Sequence, residues 1–114
     1  MRLNHVALTV TDRDASAAFY ARHFGLTERV HEDRHLLILA GSDGSLLALS
    51  EGIVPTPPPR TTHFGFQVEN RNTVHQAREA FKAEGVGEAE WQEHGPTRVQ
   101  IFDPDGYRVE IYAF

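Results

Sequence analysis

The sequence predicts an α+β fold of two βαβββ modules, and three observations carry that prediction. The chain repeats itself: NHVALTV at 4–10 and THFGFQV at 62–68 set His5 and His63, 58 residues apart, at the same point of two alternating strands. Each strand runs into a polar turn and a segment of helical periodicity. Each half then ends in three strand-like runs, the last preceded by an Asp-Gly turn, Asp43-Gly44 or Asp105-Gly106.

The first module covers about 1–52. After its opening strand, Asp12 is an N-cap, Ala15, Ala18, Phe19 and the stem of Arg22 form the buried stripe, and Gly25 ends the helix. Strands follow at 27–31, 35–40 and 45–50. A proline-rich linker at about 53–61, containing PTPPPR, cannot join a central strand and favours a stiff, extended path. The second module covers about 62–114: Asn70 or Asn72 caps a helix whose stripe is Val74, Ala77 and Phe81, and Gly85 stops it. Its strands fall at about 89–93, 98–102 and 107–112, and DPDG suits a type I turn from Asp103 to Gly106. Neither half is long enough to bury a full core alone, so both are expected to pack into a single domain spanning 1–114, within one chain or between two.

Strand parity separates two faces. Leu47, Leu49, Val109 and Ile111 take the helix-covered core. The opposite face holds His5, Ala7 and Thr9; Leu46, Ala48 and Ser50; His63, Gly65 and Gln67; Arg98, Gln100 and Phe102; and Arg108, Glu110 and Tyr112. A closed core would not tolerate that set, because an unpaired buried polar group costs roughly 1–3 kcal/mol. A water-filled concave cavity would.

Within that set, His5, His63 and Glu110 suit a divalent transition metal, with coordination positions left open. Iron, manganese, nickel, cobalt and zinc all accept two imidazoles and a carboxylate. Under the 62-residue offset of the closing hairpins, Glu110 corresponds to Ala48, so a symmetric four-ligand site lacks one ligand. Gln67, Arg98, Gln100, Arg108 and Tyr112 are the expected substrate-pocket residues, the two arginines either as paired rim charges or as receptors for an anionic group. His31, His35, His23 and His75 read as structural or surface residues, His94 as a loop residue near the cavity mouth, and Trp91 as core. No catalytic base is identifiable.

Composition narrows the partners. A net charge of −5 disfavours a phosphate-backbone binder. The absence of cysteine excludes disulfides and thiolate metal sites and fits a reducing, cytoplasmic setting. No apolar run approaches membrane-spanning length.

NHVALTV, the helix ending in FYARHFGL, THFGFQV and the closing FDPDGYRVEIYAF together resemble the vicinal oxygen chelate proteins, the glyoxalase, bleomycin-resistance and ring-cleaving dioxygenase group. The resemblance spans essentially the whole chain. It implies paired modules around an open, barrel-like cavity, a divalent metal at His5, His63 and Glu110, a small substrate that chelates it through two oxygens, and a homodimer. A metal-dependent lyase, dioxygenase or thiol transferase is the expectation, with a non-catalytic drug- or metabolite-sequestering protein as the alternative. Departures narrow it further. Ala48 replaces the glutamate that glyoxalase I-like members use as ligand and proton acceptor. Gln100 stands about where ring-cleaving members carry a tyrosine, and EAEWQEHGPTR lacks the lysine of fosfomycin-resistance transferases.

Overall fold

The computed structural model describes residues 1–54 and 59–114. Residues 55–58, the middle of the predicted proline-rich linker, lie outside the described residues. The chain divides into two compact units, Met1–Thr56 and Pro57–Phe114. The first contains β1 (His5–Val10), α1 (Arg13–Phe24), β2 (Glu28–Glu32), β3 (Leu37–Ala40) and β4 (Leu46–Glu51). The second repeats the order with β5 (His63–Gln67), α2 (Arg71–Ala83), β6 (Glu88–Gln92), β7 (Thr97–Phe102) and β8 (Arg108–Ala113). Each forms a four-stranded sheet, β1-β4-β3-β2 and β5-β8-β7-β6, with the opening strand parallel to the closing one and the other pairs antiparallel. The fold is thus α+β, built from two βαβββ modules.

Capping chemistry explains the helices. Asp12 accepts from the Ala15 amide at 3.0 Å, and Gly25 closes α1 at φ 69°. Asn70, rather than Asn72, caps α2 by accepting from the Thr73 amide at 2.9 Å. The α2 stripe is as expected, with Val74 and Phe81 buried and Ala77 half-buried.

The α1 stripe is not. Its buried face is Ser16, Ala17 and Tyr20, while Ala15, Ala18 and Arg22 are exposed and Phe19 is half-buried. Apolar residues lie all round this helix, so two overlapping stripes each have helical spacing. The one that removes the whole Tyr20 ring from water wins, because a large ring buries more area than two alanine methyls.

Strand ends shift for a local reason as well. β3 begins at Leu37 rather than at 35 because the Asp33 carboxylate accepts from the amides of His35 at 2.7 Å and Leu36 at 2.9 Å. The donors are thereby drawn into the turn before the ladder starts. The same hydrogen bonds, with one from His31, lower the Asp33 pKa to about 2. DPDG forms its turn as predicted, with the Gly106 amide donating to the Asp103 carbonyl at 3.0 Å. Leu47, Leu49 and Val109 are at most 1% exposed and Ile111 8%, so the helix-side core follows the alternation. No helix among the described residues is long and apolar enough to cross a membrane.

Candidate metal centre

Register assembles the site in the second unit. His63 pairs with Arg108 and, beyond it, Phe102; Gly65 pairs with Glu110, then Gln100, then Glu90; Gln67 pairs with Tyr112, then Arg98, then Gln92. Residues on one rung point to one side of the sheet, and alternate rungs share that side. A single face therefore carries His63, Glu110, Gln100, Glu90, Arg98 and Tyr112.

Glu110 is the centre of the polar contacts, although it is only 9% exposed. Its Oε2 accepts from Gln100 Nε2 at 3.1 Å and from Arg98 Nη1 at 3.2 Å, and lies 3.5 Å from His63 Nε2. Arg98 is itself held in place. Its Nη2 donates to Glu90 at 2.8 Å and its Nε to Gln92 Oε1 at 3.3 Å, while Gln92 Nε2 donates to the Pro96 carbonyl at 2.7 Å. This chain fixes the carboxylate from behind. A guanidinium shared by two carboxylates offsets the desolvation that Glu110 suffers. Gln100 is oriented by the same contact, because turning its amide would set oxygen against oxygen. Its Oε1 is left buried with no hydrogen-bond partner.

His63 presents one particular nitrogen. Its Nδ1 lies 2.8 Å from the Thr61 carbonyl, which can only accept, so Nδ1 carries the proton. In the neutral ring the lone pair is then on Nε2, the nitrogen that faces Glu110. Two lone-pair donors turned towards each other, each braced from behind, fit a divalent cation. A second observation agrees. A Cβ on Gly65 would lie 2.5 Å from Glu110 Cγ and 3.1 Å from Oε1, so the carboxylate occupies a cradle that only glycine leaves open.

His5 lies in the first unit, exposed at the start of β1 and registered with Leu46. Its Nδ1 is 3.4 Å from Asn4 Oδ1, an arrangement that again leaves Nε2 for a ligand. Within neither unit, among the described residues, do three His, Cys, Asp or Glu side chains gather into a metal cage.

A cavity of about 330 Å³ in the second unit is lined by Arg60, Thr61, His63, Glu90, Arg98 and Gln100, and Glu110 is hydrogen-bonded to the last two. Of the expected pocket residues, Arg98 and Gln100 line it. Gln67, Arg108 and Tyr112 share the sheet face but do not. Arg108 lies over the Phe102 ring at 5.3 Å, and Tyr112 is edge-on to Phe114 at 5.8 Å. Of its two readings, Arg98 takes the paired one. His94 is exposed and outside the cavity lining. Trp91, expected in the core, is half-buried, with Arg78 over its ring at 4.3 Å and His75 edge-on at 5.1 Å. Sequence reasoning did not find Glu90 or the Thr61 carbonyl. Glu90 faces Gln100 only because β6 shifts register between Glu88 and Glu90. A backbone carbonyl leaves no mark on residue identity.

Comparison with known proteins places these features in context. The family model described as the Glyoxalase/Bleomycin resistance protein/Dioxygenase superfamily matches residues 2–111. A glutathione transferase FosA of Serratia marcescens is 25% identical over 97% of this chain and 79% of its own length. The structure of a possible glyoxalase from Bacillus cereus superposes with a TM-score of 0.83 at 27% identity, covering 98% of both chains. That of a lactoylglutathione lyase from Agrobacterium tumefaciens gives 0.79 at 26% identity, covering 98% of this chain and 92% of the other.

Proposed function

The chain belongs to the Glyoxalase/Bleomycin resistance protein/Dioxygenase superfamily, and from that premise we propose that it is a divalent-metal-dependent enzyme acting on a small, oxygen-chelating substrate. His5, His63 and Glu110 are its metal ligands in this reading, and the assembly is a cytoplasmic homodimer. The observation that carries the reading is the convergence of His63 Nε2 and Glu110 Oε2 at 3.5 Å, each braced by a partner on its far side. The similarity to relatives named as a transferase and a lyase supports an enzyme rather than a scaffold.

A divalent cation held by His5, His63 and Glu110 would supply Lewis acidity towards a substrate's adjacent oxygens. The chain's own residues prepare the site. The Thr61 carbonyl fixes the tautomer and tilt of His63. Arg98 and Gln100 hold the Glu110 carboxyl group in place by donating to it. The cavity wall admits a small molecule beside His63 and partly shields it from water. Ala48 offers neither a ligand nor a proton acceptor, which argues against the reaction of glyoxalase I.

Metal analysis of protein purified without chelators or a metal-affinity tag tests this reading. About one divalent ion per chain is expected, falling to background in His63→Ala and Glu110→Ala; an unchanged metal content in those variants overturns it. One observation favours a second reading, a sequestering protein: Arg98 already balances the Glu110 charge without a metal. A metal-free protein that binds its ligand equally well in EDTA supports that alternative.

A further inference from the structure

Gly65 is the one glycine whose missing side chain is filled by a functional group of the site. It is not there for backbone freedom. The glycines with positive φ are Gly25, Gly44, Gly85, Gly95 and Gly106, and Gly65 is not among them. It sits inside β5, where glycine weakens a strand by giving up side-chain packing and backbone entropy. The space it vacates is taken by its register partner: an added Cβ would meet Glu110 Cγ at 2.5 Å, Oε1 at 3.1 Å and Cδ at 3.2 Å. Separations under 3.0 Å are not tolerated by real Cβ atoms, so something must move.

The backbone of β8 cannot supply that movement, because it is hydrogen-bonded to β5 on one side and β7 on the other. The side chain of Glu110 is the freer group to turn, and turning it would withdraw Oε2 from Arg98, Gln100 and His63 together. The first unit supplies the contrast. At the register equivalent of Gly65 and Glu110 it pairs Ala7 with Ala48, and there a Cβ is present because no carboxylate needs the space.

We propose that Gly65 is a positioning residue for Glu110: its missing Cβ makes the cradle that holds the carboxylate in its ligating rotamer. The metal consequence of this inference rests on the metal-centre reading above, while the steric part stands without it. A double-mutant cycle between Gly65→Ala and Glu110→Ala separates the two, read by Mn²⁺ titration with electron paramagnetic resonance and by thermal melting in EDTA.

The expected results are a loss of Mn²⁺ affinity in Gly65→Ala of roughly tenfold or more, the scale seen when a ligand's orienting partner is removed, and a lowered melting temperature in EDTA. In the Glu110→Ala background, Gly65→Ala should change neither Mn²⁺ binding nor the melting temperature downwards, because the clashing group is gone. If Gly65→Ala does not fold but the double variant does, the steric coupling is established more strongly. Unchanged Mn²⁺ affinity in a protein that binds it, or an equal melting loss in both backgrounds, overturns the proposal. If the parent protein binds none of Mn²⁺, Fe²⁺, Co²⁺, Ni²⁺ and Zn²⁺, the metal-centre reading fails, and the melting cycle still decides the role of Gly65.

Discussion

Replacing Arg98 with methionine tests the architecture of the cluster. Arg98 donates to Glu110, Glu90 and Gln92 at once, and its side chain is 20% exposed against 11% for Glu110. Methionine keeps most of the apolar stem and removes the charge. Glu110 then retains only the Gln100 amide as a donor, in a setting largely shielded from water. Breaking a fully buried pair costs about 3–5 kcal/mol and losing one charge-assisted hydrogen bond about 1.5–3 kcal/mol. The residual exposure of Arg98 and the surviving Gln100 contact put the expected loss near the lower range, about 2–3 kcal/mol. Urea denaturation in EDTA measures it. In a Glu110→Gln background the same substitution should cost less, about 1 kcal/mol, because only the half-exposed pair with Glu90 and the long hydrogen bond to Gln92 are then lost. Mn²⁺ affinity should fall as well, by roughly tenfold or more, because Arg98→Met removes the brace that holds Glu110 in its ligating position. Equal losses in the two backgrounds, or a variant as stable as the parent in EDTA, would refute the claim that Arg98 compensates Glu110.

Other outcomes follow from single contacts. Asn70→Ala should lower stability by about 1 kcal/mol through loss of the α2 cap, and Asn72→Ala by far less; paired urea melts distinguish them. Ala17→Arg should destabilise α1 severely and Ala18→Arg hardly at all, since only Ala17 faces the core; circular-dichroism melts that rank them the other way would restore the stripe read from the sequence. Asp33 has its folded pKa lowered from 3.8 to about 2, so its contribution is complete above pH ~4 and is lost as pH falls through about 2. The stability gap between the parent and Asp33→Asn should therefore narrow across that window and stay constant from pH 5 to 7.

What the sequence made legible was whatever repeats or alternates. The offset between NHVALTV and THFGFQV located both modules, and parity put Arg98, Gln100 and Glu110 on one face of the second sheet. Parity says which side a residue faces, not what it touches. Arg98 therefore read equally well as a receptor for an anion, and only the distances to Glu90 and Glu110 show its charge already in use. The α1 stripe failed because periodicity needs contrast, and a helix with alanine on every side offers little. Glu90 was out of reach because a bulge shifts the face of every residue beyond it.

The two units also show why a ligand cannot be restored to the first by one substitution. In the second unit Glu110 depends on Gly65 for space and on Gln100 for a donor. The register equivalents in the first unit are Ala7 beside Ala48 and Ile38 across from it. Ala48→Glu therefore meets the Ala7 Cβ in the rotamer that Glu110 adopts, and finds an aliphatic side chain where Gln100 stands. Overpacking and an unsatisfied carboxylate each cost about 1–3 kcal/mol, partly relieved if the side chain swings to water. The single variant should melt well below the parent. Adding Ala7→Gly and Ile38→Gln should recover stability, even though glycine in a strand costs about 0.5–1 kcal/mol by itself. Recovery beyond that cost can come only from room and a hydrogen-bond donor for the new carboxylate. If the triple variant instead melts at the sum of its three separate losses, the space and donor that define Glu110 are incidental to it, and the absence of a carboxylate at Ala48 needs another cause.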